Sequence, residues 1–166
     1  MESWVLQMII LVEGNEGTGK TTLINELVKN HSIIAVKISK ECENLYDFYD
    51  YLLNSPHLFV LDRGFVTDLV YRIWDKGKGQ VNLHQLSNLF VKDKVKIIFC
   101  YHRNSYENSI KRGEDVIKTQ KEHNLISTLF GNVRTILHSF TEVETFDYNY
   151  EYQSVDDVIN FIKGGE

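Results

Sequence analysis

Residues Gly14-Asn15-Glu16-Gly17-Thr18-Gly19-Lys20-Thr21 fit the spacing G-x-x-x-x-G-K-[ST]. This pattern constrains the fold because it works only between a buried strand and a helix start. The flanks meet that demand. Residues 5–12 (VLQMIILV) form a continuous apolar run of branched side chains, as in a strand covered on both faces. Thr21 to Asn30 carries Leu23, Ile24, Leu27 and Val28 at helical spacing. Glycines let the main chain wrap tightly, so that its N–H groups converge on phosphate oxygens. The helix beginning near Lys20 adds its positive dipole end. Lys20 is expected to supply charge to the β- and γ-phosphates, and the Thr21 hydroxyl suits Mg²⁺. Asn15, Glu16, Gly17, Thr18 and Gly19 complete the expected nucleotide cradle. Thr22 stands in the first helical turn, either as a plain helix residue or as an α-phosphate contact.

Downstream, apolar runs predict strands at 32–38, 57–61, 95–101 and 143–146. Between them, helical stripes fall at 44–54, 66–74, 82–92, 104–112, 120–139 and 155–162. Strands alternating with helices imply right-handed βαβ units, hence a parallel sheet with helices on both faces. Ligands in such sheets sit at the carboxyl ends of the strands. Asp62-Arg63 follows the apolar run HLFVL, at such a tip. Asp62 is expected to ligand or organise Mg²⁺, and Arg63 to clamp an acceptor phosphate; the alternative is a strand-end salt bridge. Glu13 ends the first strand. It reads as a general base, as a metal organiser, or as a carboxylate capping a tight turn. Tyr46, Phe48 and Tyr51 offer aromatic rings for stacking, although a stripe at this spacing more often packs in a core.

The 166 residues suffice for one domain with a sizeable core, and no repeat or linker divides them. A net charge of −5 weighs against a protein that coats a nucleic-acid backbone, while permitting a small anionic substrate held by a few cations. Cys42 and Cys100 form no C-x-x-C pair, which suits a reducing compartment. The six histidines lack metal-ligand spacing. No apolar run approaches the ~20 residues a membrane span needs. The expectation is a soluble cytoplasmic protein.

The segment Val12 to Thr22 resembles the phosphate-binding loop of thymidylate kinases, and also the EGN-x-x-x-GK-[ST] loop of deoxynucleoside kinases. Asp62-Arg63-x-x-x-Thr67-x-x-x-Tyr71 is similar to the thymidylate kinase D-R-x-x-x-S-x-x-A-Y-Q pattern, with Thr67 for the serine, Val70 for the alanine and Arg72 for the glutamine. Lys111-Arg112-Gly113-Glu114, before a long helix, resembles the lid that closes over ATP. The resemblance implies a three-layer P-loop NTPase fold in one domain, residues 1–166, with a five-stranded parallel sheet of order 2-3-1-4-5 and a short lid around 111–121. It implies ATP as phosphoryl donor with Mg²⁺, and a small nucleotide or nucleoside as acceptor. Arg63 would lie on the acceptor phosphate, Thr67 and Tyr71 would face the acceptor, and residues 147–153 would lie near the adenine. Arg112, with Lys111, Lys118 and Lys121, would supply lid charge; Arg103 is a further candidate. A homodimer is implied by analogy. Where thymidylate kinases carry an R-E-P segment, this chain has Lys37-Ile38-Ser39-Lys40-Glu41-Cys42, without an arginine.

The acceptor decides what chemistry is demanded. A monophosphate is largely dianionic at neutral pH and needs cations rather than a base. A nucleoside 5′-hydroxyl is neutral and benefits from a carboxylate. The D-R match favours a deoxynucleoside monophosphate, thymidylate or a related pyrimidine nucleotide. A deoxynucleoside kinase, or a nucleotide-binding switch without a second substrate, is the competing reading.

Overall fold

A computed structural model describes residues 7–38, 44–74, 87–88, 94–113 and 119–164. The expected helix at 82–92 and Lys118 lie largely or wholly outside these residues. In chain order the elements are β1 (Met8–Gly14), α1 (Lys20–Asn30), β2 (Ile34–Val36), α2 (Leu45–Leu53), β3 (Leu58–Asp62) and α3 (Phe65–Trp74). Then come β4 (Val95–Cys100), α4 (Ser105–Lys111), α5 (Gln120–Phe140), β5 (Glu144–Tyr148) and α6 (Val155–Lys163).

All pairings are parallel and the order is β2-β3-β1-β4-β5, as expected. The side-chain period of two sorts each strand between two cores. Ile9 and Leu11 of β1 join Phe59, Leu61, Ile97 and Phe99 on one face, under α2, α3 and α5. Met8, Ile10 and Val12 join Val60, Ile98 and Tyr148 on the other, where α1 and α6 bring Leu23, Leu27, Val158 and Ile162. β1 is buried along its whole length, because it is central and covered on both sides.

Most element ends shift by a residue from the sequence reading, and three strands shift by two or more. β1 starts at Met8 rather than residue 5, just after Gln7, whose φ of +68° does not belong to a strand. β2 has only three residues, since it is the edge strand and its Ile34 and Ala35 face solvent. β5 runs two residues further, to Tyr148, held by its register with Cys100. In α2, Tyr49 is buried, Tyr46 and Phe48 pack partly on the core, and Tyr51 is exposed. Among the described residues no helix is long and apolar enough to cross a membrane.

Candidate functional site

The order of the sheet brings three strand tips together. β1 lies between β3 and β4, with Val12 beside Asp62 and Gly14 beside Cys100. The loop 14–19 therefore leaves the centre of the sheet and turns into α1. Two glycines make the turn. Gly17 (φ +75°) packs so close to the Ser105 carbonyl that a Cβ would overlap it, and Gly19 (φ +85°) lies under the Tyr150 ring, 2.9 Å from where its Cβ would stand.

α1 begins at Lys20 with no side-chain cap and no acidic residue in its first turn. Its first N–H groups have no intrahelical acceptor, and no acidic side chain of the first turn offsets the dipole. Lys20 is buried, and its Nζ donates to the Asn15 carbonyl at 2.5 Å, with Thr18 Oγ1 at 3.4 Å. Burial, and next the neighbouring Arg63 guanidinium, push the Lys20 ammonium down to about 8. An incoming anion would restore it.

Asn15 is a structural hub. Its Nδ2 donates to the His123 carbonyl at 2.8 Å and to Ser127 Oγ at 2.9 Å, which ties the loop to α5. Its Oδ1 accepts the Glu16 amide at 2.8 Å. Its carbonyl takes both Thr18 Oγ1 and Lys20 Nζ. From α4, Asn108 Nδ2 donates to the Gly17 carbonyl at 3.1 Å and to the Tyr150 hydroxyl at 3.0 Å.

Glu13 is fully buried. One carboxylate oxygen accepts the Gly64 amide; the other accepts the Thr67 amide at 2.6 Å and the Thr67 hydroxyl at 2.7 Å. Glu13 thus holds the start of α3, the capping role among its sequence readings, and Thr67 turns its hydroxyl to Glu13. Desolvation outweighs these bonds and pushes the Glu13 carboxyl up to about 7. Between β3 and α3, Arg63 takes a φ of +66° while its amide donates to the Val12 carbonyl at 3.0 Å. A left-handed arginine at a strand tip is the kind of backbone that surrounding structure must impose.

A cavity of about 250 Å³ is lined by Gly17, Thr18, Gly19, Lys20, Thr21, Lys37, Asp62, Arg63 and Arg112. It unites the cradle, the D-R pair and the lid arginine named from the sequence. It also adds Lys37, which the sequence names only as the start of the segment without an arginine; its place just beyond β2 is the signal for it. A neighbouring cavity of about 410 Å³ includes Thr22, Asn108, Lys111, Arg112 and Tyr150 in its lining. Tyr71 stands apart, half-buried and edge-on to Trp74 at 5.8 Å. Arg103 is 73% exposed and lies 3.5 Å from Glu151, outside the cavity of about 250 Å³. Thr21 and Asp62 line one space, and a hydroxyl with a carboxylate is a donor set that fits Mg²⁺, which keeps water and phosphate oxygens beside one or two protein ligands.

No family model and no curated protein matches the sequence. Among solved structures, the chain is similar to YorR from Bacillus subtilis, determined in complex with phosphorylated GDP: TM-score 0.73 and 20% identity over 93% of each chain. It is also similar to deoxyadenosine kinase from M. mycoides with bound dCTP, at TM-score 0.60 and 14% identity over 93% of this chain and 98% of that one. These likenesses establish the fold, that of the P-loop kinases.

Proposed function

We propose that this protein transfers the terminal phosphoryl group of ATP, with Mg²⁺, to a deoxynucleoside monophosphate, thymidylate or a related pyrimidine nucleotide, within a single domain whose short lid spans about 111–121. One observation carries the reading. The uncapped start of α1 opens on a cavity lined by Lys20, Lys37, Arg63 and Arg112 against a single carboxylate, Asp62. Two polyanions repel each other, and a surplus of fixed cations is what brings them within reach.

The residues divide the work. The loop amides and Lys20 grip the donor phosphates, with Lys20 Nζ leaving the Asn15 carbonyl to do so. Thr21 and Asp62 would hold Mg²⁺, which supplies charge neutralisation at the transferring group. Arg63 clamps the acceptor phosphate, with Lys37 standing where the related arginine is missing. Arg112 meets the charge that develops on the moving phosphoryl. Glu13 acts by position: it fixes α3 and the Asp62-Arg63 turn. Thr67 supports Glu13 in that role through its amide and hydroxyl. Transfer then rests on alignment and electrostatics.

A second reading is a deoxynucleoside kinase, with Asp62 taking the proton of a 5′-hydroxyl. Its support is that carboxylate beside the phosphate cradle, and the likeness to a deoxyadenosine kinase. A nucleotide-binding switch would hydrolyse or hold ATP with no acceptor.

Coupled ADP release across deoxynucleoside monophosphates, deoxynucleosides and no acceptor separates the three, with Lys20→Ala as blank. The expected result is monophosphate-dependent turnover, abolished in Lys20→Ala. In Arg63→Ala the acceptor KM should rise roughly tenfold or more, with the ATP KM little changed. Release that depends on nucleosides, or on no acceptor at all, overturns the monophosphate assignment.

A further inference from the structure

The short helix α4 is docked on the phosphate-binding loop by its main chain. A Cβ on Gly17 would overlap the Ser105 carbonyl and stand 2.9 Å from the Ser109 amide nitrogen. The loop therefore lies directly against the first turn of α4, where Ser105 and Ser109 are both buried. Asn108 adds a side-chain bond to this contact. Its Nδ2 donates to the Gly17 carbonyl at 3.1 Å and to the Tyr150 hydroxyl at 3.0 Å, so both hydrogens of the amide are engaged. A carbonyl can only accept, which fixes the way the Asn108 amide faces. Tyr150 in turn covers Gly19, its ring 2.9 Å from where a Cβ would stand. One side chain thus ties α4 to the loop at Gly17 directly and at Gly19 through Tyr150.

The bond to Gly17 also sets the next amide. A trans peptide carries its C=O and N–H on opposite sides. With the Gly17 carbonyl turned to α4, the Thr18 N–H points away from α4. Gly17 and Thr18 both line the cavity of about 250 Å³, together with Lys20 and Arg63. Gly17 has a φ of +75° and no side chain to restrict its peptide, so the orientation needs a hold from outside the loop. Asn108 is not in the lining of that cavity; it acts through Gly17. One turn further along α4, the Arg112 amide donates to the Asn108 carbonyl at 3.2 Å, and Arg112 does line the cavity.

We infer, on the reading of this cavity as the donor-phosphate site, that Asn108 is a positioning residue for phosphoryl transfer. It holds the 17–18 peptide so that the Thr18 N–H faces the donor phosphates. The incoming anion then meets a dipole already aimed, and binding does not have to reorganise the backbone. The same helix carries Arg112, so loop and lid arginine share one frame.

The test is calorimetric titration of the full chain with ADP·Mg²⁺, paired with steady-state kinetics of the coupled assay. Asn108→Leu keeps a branched side chain and removes the donors. It should weaken ADP binding about threefold to tenfold and raise the ATP KM by a similar factor, with the acceptor KM changed less than about twofold. Inorganic tripolyphosphate, which has no base, should lose the same factor, read as its inhibition constant against ATP. Asn108→Gln, which keeps a donor amide on a longer stem, should recover part of the loss. A merely structural role would lower the thermal midpoint of the ligand-free protein and leave these ratios unmoved. If Asn108→Leu does not fold by circular dichroism, Asn108→Ala takes its place. The inference is overturned if the variant binds ADP as the wild type does, or if the acceptor KM rises together with the ATP KM. It is overturned also if tripolyphosphate does not inhibit the wild type, or keeps its affinity in the variant while ADP loses it, which would assign Asn108 to the base. A wild-type chain that binds no ADP removes the kinase reading and this inference with it, whereas wild-type binding with an unaffected variant removes the role of Asn108 alone.

Discussion

At Glu13 and Lys20, seven residues apart and both buried, two charges share the tip of one strand with opposite consequences. The folded Glu13 carboxyl keeps its proton up to about 7, against 4.5 for the ordinary group. Between those values the folded chain binds more protons than the unfolded one, so stability falls as pH rises from 4.5 to 7. The buried Lys20 ammonium gives the reverse: from about 8 to 10.5 the unfolded chain binds more protons, so stability rises. The Glu13 contribution across its window is of order 3 kcal/mol. Urea unfolding of the nucleotide-free protein near pH 5 and pH 7 should therefore show lower stability at the higher pH, about 2–3 kcal/mol from this one group. Glu13→Gln should flatten that difference. An unchanged pH dependence in the variant would mean that Glu13 is not the buried titrating group.

Among the helices, side-chain caps hold the starts of α2, α5 and α6. Asn44 caps α2 through the Asp47 amide at 3.2 Å, and Thr119 caps α5 through the Glu122 amide at 3.1 Å. Ser154 and Asp157 form a reciprocal capping box on α6, with bonds of 3.2 and 2.8 Å. α1 and the short α4 have no side-chain cap. Ser154→Ala should cost about 1 kcal/mol by leaving orphan amides at the start of α6. The thermal midpoint should then fall by a few degrees, while ADP affinity is retained. A midpoint unmoved by this change would show that the box does not stabilise α6.

Over the whole molecule, both sheet faces are apolar, so a buried cation within a strand is conspicuous. Lys96 is only 1% exposed, as the second residue of β4. Its Nζ donates to the Phe161 carbonyl at 2.9 Å and the Ile162 carbonyl at 3.2 Å, and lies 3.5 Å from Glu144. It also stands 5.1 Å from the Phe161 ring. One side chain thereby joins β4, β5 and the negative end of α6, on the face opposite α3 and α5. Lys96→Met keeps the stem and removes the donors, leaving the Ile162 carbonyl and the Glu144 carboxylate short of a partner, while the Phe161 carbonyl keeps the Gly164 amide. The expected loss is about 1–3 kcal/mol in urea unfolding. Equal stability would mean that these groups find other partners at no cost.

Much of this was written into local pattern. The apolar runs gave the strands, the glycine spacing gave the loop, and alternation gave parallel pairing, because side-chain period and backbone freedom are properties of short segments. The approach of Asp62-Arg63 to the cradle also followed, since strand tips in such a sheet share one edge. Local pattern did not reveal that Glu13 spends both oxygens on α3, that Asn15 moors the loop to α5, or that Lys37 and Arg112 share one cavity. Nor did it reveal Lys96 within VKIIFC as a tie to α6, or Asn108 as the hold on the Gly17 carbonyl. Those facts depend on which helix crosses which strand, and on how far water is excluded there. Burial and partner distance, which fix charge and hydrogen bonding, exist only once the chain has closed on itself.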